Sequence, residues 1–346
     1  MPACTGDSIG MHRREHGPSV TGAVARMIRS RVPWSWIGVA ISIVILIVAS
    51  LALFRLLRDV EVDKVVAALS AKNLPDVVVA AALVMASYAA LTFYDFFALR
   101  TIGRSNVPYR VAAFANFTSY TIGHNLGVTV VGAAVIRLRI YAPWGVGVVD
   151  IAKVAFITGL TFWLGNAFVL GMGLLSEPEA VRTITELPAW INRSIGVAAL
   201  AVIIAYLAWL LPRPRAVGRG RWRIVLPNSR LTLLQIAIGV ADLSLATLGM
   251  QALMPMQPTI DFTALLVIFV AAVLLGFLSH APGSLGVIEA TMLVGLPQFP
   301  KEELLASLLV FRLLYFVIPL CLAAILLSTR ETWLTIKAAA QRKNAR

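Results

Sequence analysis

Apolar residues in this chain come in long unbroken runs rather than at the spacing of a half-buried surface helix. A bilayer core of about 30 Å needs about 20 apolar residues in helix. Runs of that order cover 36–54, 76–99, 151–175, 192–211, 231–254 and 303–327, and each predicts a full crossing. Two further apolar segments, 111–136 and 262–296, are broken instead. Gly123, Gly127 and Gly132 interrupt the first, and Pro282, Gly283 and Gly286 interrupt the second. Breaks of this kind at membrane depth predict non-helical backbone covered by protein or water.

The polar residues between the runs set the expected topology. Arg213, Arg215, Arg219, Arg221, Arg223 and Arg230 crowd the 212–230 loop, and Arg330, Lys337, Arg342, Lys343 and Arg346 crowd the C-terminal end. The 176–191 loop carries Glu177, Glu179 and Glu186 against Arg182. Basic loops stay on the cytoplasmic side. Six crossings then place both termini inside, provided that 111–136 and 262–296 are re-entrant hairpins entering from opposite faces. The expected fold is an all-α polytopic membrane protein of six transmembrane helices plus two broken hairpins. The boundaries expected are a disordered basic cytoplasmic tail over 1–35, one membrane domain over 36–329 and a basic cytoplasmic tail over 330–346.

Units 76–175 and 231–327 both read crossing, broken segment, crossing. With opposite entry of the hairpins, this is an inverted repeat, the arrangement that places a transporter's substrate between halves near the midplane. His124-Asn125-Leu126-Gly127 and His280-Ala281-Pro282-Gly283 fall at matching points of the two units.

Composition then removes whole classes of function. Hydrophobic residues make up 59% and charged residues 14% of 346, too few charges for a soluble globule. The net charge of +13 does not signal nucleic-acid binding, because the basic residues sit in short loops and tails with no aromatic RNA-binding signature. Cys4 and Cys321 form no disulfide framework, and the four histidines give no metal-ligand spacing, so neither metal nor cofactor is expected. No phosphate-binding loop, nucleophile elbow or catalytic carboxylate pair appears, and an enzyme is not expected.

Ionisable residues inside membrane segments are expensive and mark function by default. Arg312 lies mid-crossing and needs an anionic partner, either Glu289 or a substrate phosphate. Tyr315 and Pro319 follow it on the same helix face, with Pro319 as a kink. Helix ends created at the breaks suit an anion, which adds His124, Asn125, His280, Gly283 and Gly286 to the candidates, with Arg137 and Arg139 on the first hairpin. Asp95 and Lys153, near the ends of runs, are expected at the interface. Asp242 is central and has no evident partner.

Three stretches resemble the transmembrane region of the lysylphosphatidylglycerol synthetase family, a flippase-like domain. They are Gly132-Ala133-Ala134-Val135-Ile136-Arg137-Leu138-Arg139-Ile140-Tyr141 with Thr161-Phe162-Trp163-Leu164-Gly165, then His280-Ala281-Pro282-Gly283-Ser284-Leu285-Gly286-Val287-Ile288-Glu289, then Phe311-Arg312-Leu313-Leu314-Tyr315-Phe316-Val317-Ile318-Pro319. The resemblance implies lipid translocation carried by Arg137, Glu289, Arg312 and Tyr315. Ala133 and Ser284 stand where a second glycine is expected, which implies looser backbone approach there. The soluble synthase domain of the full-length enzymes has no counterpart after the last crossing, so the chain is not expected to make aminoacyl-lipid itself.

The expectation is a lipid flippase-like transporter of a bacterial cytoplasmic membrane, with membrane lipids as partners. A transporter of another amphiphile, such as a polyprenyl-linked sugar, is one alternative. A non-transporting scaffold or accessory subunit of a lipid-modifying system is the other. Oligomeric state and any partner enzyme stay open at this stage.

Overall fold

The computed structural model describes residues 62–125, 129–211 and 215–344. It is helical almost throughout: α1 (Val62–Ser70), α2 (Leu74–Thr101), α3 (Tyr109–Asn125), α4 (Thr129–Tyr141), α5 (Val148–Ser176) and α6 (Ala189–Leu210), then α7 (Ser229–Leu253), α8 (Phe262–Ser279), α9 (Val287–Gly295), α10 (Lys301–Arg312) and α11 (Ile318–Asn344). A π-helical turn over Leu313–Val317 joins α10 to α11 without a loop. Six helices among the described residues are long and apolar enough to cross a membrane: α2, α5, α6, α7, α8 and the composite Lys301–Trp333. The chain is an α-helical, multi-pass membrane protein.

Local sequence explains where these helices start and stop. Pro75 occupies the first turn of α2, where no N–H is required, and Asp76 faces the positive end of the helix dipole. The Asn228 side chain accepts from Leu231 N at 2.8 Å to cap α7, and Asp261 accepts from Thr263 N at 2.8 Å to cap α8. At its far end α8 stops on His280, which takes a left-handed conformation (φ 53°).

Helices α2 and α7 form the central pair, and the Ser87 hydroxyl on α2 donates to Asp242 on α7 at 2.5 Å. Asp242 therefore does have a partner, a hydroxyl on the facing helix. Helices α5 and α7 cross backbone to backbone: a Cβ built on Gly165 would lie 3.0 Å from the Gly239 Cα, and the converse distance is the same. The hairpin arms exchange partners between units: α3 packs on α11, and α8 packs on α5. The outward faces are apolar, as lipid contact requires; Val197, Val202 and Ile204 on α6 are more than half exposed.

Several boundaries differ from those read in the sequence. The crossing at 36–54 and the tail at 1–35 lie outside the described residues. Helix α8, read as one arm of a re-entrant hairpin, has 18 residues and by itself the length to cross. Helix α11 runs on past 330 through Asn344, where Ala, Gln, Lys and Arg are good helix formers. The 55–75 connection contains α1, and the basic loop before α7 includes a two-stranded antiparallel pair, Ala216–Val217 with Ile224–Val225.

Candidate functional site

Beyond the Ser87–Asp242 pair, two polar centres among the described residues involve the hairpins. The first is at the second hairpin's break. Gly283 (φ 57°) and Gly286 (φ 77°) turn the chain between α8 and α9, and Gly286 N donates to Glu289 Oε2 at 2.9 Å, closing the first turn of α9. Fixed in that way, Glu289 presents Oε1 to the Arg312 guanidinium, whose Nε lies 2.6 Å away and whose Nη2 also pairs with it. Arg312 Nη1 donates to the Gly283 carbonyl at 3.1 Å, so the arginine ties the non-helical turn to the last helix. Its guanidinium also sits over the Phe316 ring, 5.2 Å from the centroid.

The end of α3 meets the turn of the second hairpin at this arginine. A Cβ added to Gly283 would lie 3.5 Å from Asn125 Oδ1, 3.8 Å from Arg312 Nη1 and 3.8 Å from the Phe316 ring. His124 stacks between Tyr120 and Phe316, with centroids 5.6 Å away on each side. The structure thus brings together His124, Asn125, Gly283, Gly286, Glu289 and Arg312 from distant parts of the sequence.

The second centre is deeper in the first unit. Arg137 on α4 pairs with Asp95 on α2 through two bonds, Nε to Oδ2 and Nη2 to Oδ1, both 2.8 Å. Tyr141 Oη donates to Asp95 Oδ2 at 2.7 Å, and Asn116 Nδ2 donates to Oδ1 at 3.0 Å. Asp95 is fully buried, which corrects its expected interfacial position: a neighbouring helix covers the end of its apolar run and supplies the counter-charge.

A cavity of about 180 Å³ opens beside this cluster. Asn116, Tyr120 and His124 of α3 and Arg137 of α4 contribute its polar lining, while Leu91, Phe162, Trp163, Val273 and Phe277 supply apolar walls from α2, α5 and α8. Trp163 is 44% exposed on the outer face of the bundle, so that wall is continuous with the lipid-facing surface. His124 belongs to both centres, lining the cavity with one part of the ring environment and touching Phe316 beside Arg312 with the other.

No known family profile matches the chain. Over 251 residues it is 30% identical to an uncharacterized protein of Synechocystis, slr0712, covering 72% of this chain and 78% of that protein. The chain belongs to the same family. It is also 27% identical over 256 residues to the inner membrane protein YbhN of Escherichia coli, covering 71% of this chain and 77% of YbhN. A shorter stretch of 69 residues is 38% identical to a phosphatidylglycerol lysyltransferase of Staphylococcus haemolyticus, covering 19% of this chain and 8% of that enzyme.

The remaining candidates take other places in this family member. Arg139 points to the rim, where it pairs with Glu331 of α11 at 2.6 Å. His280 is exposed at the end of α8, its ring 6.4 Å from that of Phe277. The π turn adds a residue to the helical repeat just after Arg312, so Arg312 and Tyr315 do not share one face as expected. Tyr315 instead stacks on Phe311 and packs against Tyr88, with ring centroids 5.3 Å apart in each case. Nor is the backbone loose at Ser284. This serine has φ 51° and packs on Gly276, where an added Cβ would come within 2.6 Å of it; the missing glycine is on the facing helix.

Asn116, Thr158 and Gly159 line the cavity and were not singled out by sequence. Uncharged polar residues carry no charge signal, although Asn116 in an otherwise apolar stretch is the kind of residue that hydrogen-bonds across membrane helices.

Proposed function

We propose that this protein moves an amphiphilic lipid across an inner membrane and is not itself a lipid-modifying enzyme. The cavity is the observation that supports this reading. It joins apolar walls open toward lipid to a polar end inside the bundle, which matches a molecule with a polar head and an apolar tail. The inner-membrane assignment of YbhN and the short likeness to a phosphatidylglycerol lysyltransferase agree with a lipid-related role in such a membrane.

In this reading the lipid head enters past Trp163 and rests between α3, α4 and α5. Glu289 and Arg312 hold the turn of the second hairpin in place against the end of α3. Rearrangement of that junction, with His124 as shared wall, exposes the cavity to the other side. The two units rock about their shared α5–α7 contact.

The test uses proteoliposomes carrying a tail-labelled fluorescent lipid. A Cβ added at Gly159, which lines the cavity, meets nothing within 4 Å, so Gly159→Leu fills the space without a backbone clash. Translocation is expected with the native protein and is expected to fall to the level of empty liposomes with Gly159→Leu, at an unchanged melting temperature. Native protein that moves no lipid faster than empty liposomes would refute the reading.

A further inference from the structure

Resting on the reading of the cavity as a lipid-head site, the hydrogen bonds around it narrow the chemistry of the head. The Arg137 charge is already balanced. Asp95 accepts four bonds, two from Arg137 and one each from Tyr141 and Asn116, which fills the roughly four lone-pair positions of a carboxylate. The cluster therefore offers a phosphate no uncompensated positive charge and offers an ammonium group no vacant carboxylate acceptor.

What it does offer is neutral hydrogen-bonding capacity. Asn116 is 3% exposed, and its Oδ1 has no hydrogen-bond partner among the described residues. The amide orientation is settled by chemistry: an ionised Asp95 only accepts, so the NH2 must face it and the oxygen is the atom left over. Thr158, also on the cavity wall, donates its hydroxyl proton to the Ala155 carbonyl at 3.2 Å and so can only accept from a ligand. Arg137 has five N–H groups, of which two go to Asp95 among the described residues, leaving donors on a third residue that lines the same cavity. A group that both donates and accepts without charge satisfies all three, and a hydroxyl does this. The volume, about 180 Å³, is well beyond what one water needs, so the space admits a multi-atom polar group.

We propose that the polar end of the cavity takes the uncharged, hydroxyl-bearing end of a lipid headgroup, a glycerol or a sugar, with its O–H donating to Asn116 Oδ1 and Thr158 Oγ1 and its oxygens accepting from Arg137.

The experiment compares four tail-labelled lipids in the same proteoliposomes: phosphatidylglycerol, a neutral glucosyl diacylglycerol, phosphatidylethanolamine and phosphatidic acid. Transport of one or both hydroxylated lipids is expected to exceed that of the other two about tenfold, the factor for one or two lost hydrogen bonds. The two hydroxylated arms separate a glycerol head from a sugar head. Asn116→Leu is expected to level the four rates, and Thr158→Val, which leaves the Asp95 cluster untouched, to reduce the preference about threefold or more. Transport of all four lipids at equal rates, or a preference for phosphatidic acid or phosphatidylethanolamine, overturns this inference and leaves the lipid-transport reading standing. Absence of transport for every lipid overturns both.

Discussion

The Tyr88 hydroxyl donates to the Tyr315 carbonyl at 2.8 Å. In a continuous α-helix that carbonyl would accept from the nitrogen four residues on, which is Pro319 and carries no hydrogen. Helix α2 thus supplies this π-turn carbonyl with a donor that Pro319 cannot provide. Tyr88→Phe is expected to lower stability by about 0.5–1.5 kcal/mol, the effect of losing one hydrogen bond. Adding Pro319→Ala returns a backbone donor and is expected to recover part of the loss. Thermal unfolding of the single and double variants in detergent measures both effects.

The Glu289–Arg312 pair invites a test that separates holding the fold from moving the lipid. Glu289→Ala leaves a part-buried guanidinium with the Gly283 carbonyl and the Phe316 ring but no counter-charge, and a loss of about 3 kcal/mol is expected. Replacing both residues by Met removes the two charges together and is expected to restore most of the stability. Under the proposed transport cycle the double variant remains slow, because its junction no longer carries the ion pair. Native-like transport by the folded double variant would show that the pair is only structural.

Around Asp95 the expected effects are graded. Tyr141→Phe removes one donor to a carboxylate that keeps three others, and about 1–2 kcal/mol is expected. Asp95→Leu strands Arg137 in the interior and is expected to cost about 3–5 kcal/mol, unless Arg137→Met accompanies it. Chemical denaturation of the reconstituted protein would rank the three variants.

Helix α5 meets α8 at Gly173, where an added Cβ would come within 1.8 Å of Val267 Cγ2. Valine is stiff at χ1 and cannot swing aside freely. Gly173→Ala is therefore expected to destabilise by about 1–3 kcal/mol through overpacking. Val267→Ala in the same chain provides the missing space and is expected to relieve it, as a double-mutant cycle on melting temperature would register.

The long apolar runs made the helices legible in the sequence, because length and hydropathy are local properties. The breaks at Gly283 and Gly286 were legible for the same reason, since Gly and Pro act on their own backbone. The Arg312–Glu289 pairing was also within reach, because a mid-crossing cation requires an anion and Glu289 was a near candidate. Asp95 was not, since its counter-charge is on a helix 42 residues away and depth cannot be read from position within a run. Asn116 illustrates the other limit. Its importance lies in which of its two polar atoms is left over, a fact decided by Asp95 and not by anything adjacent in the chain.

The crossing of Gly165 and Gly239 has a mechanical consequence. At that point the two backbones touch with no side chain between them, while Leu164 packs near Ile236 on one side and Val169 near Leu243 on the other. A shift of one helical turn, about 5.4 Å, would press Gln235 or Leu243 of α7 into the space that only hydrogen now occupies. The contact therefore fixes the axial register between the last crossing of one unit and the first of the other.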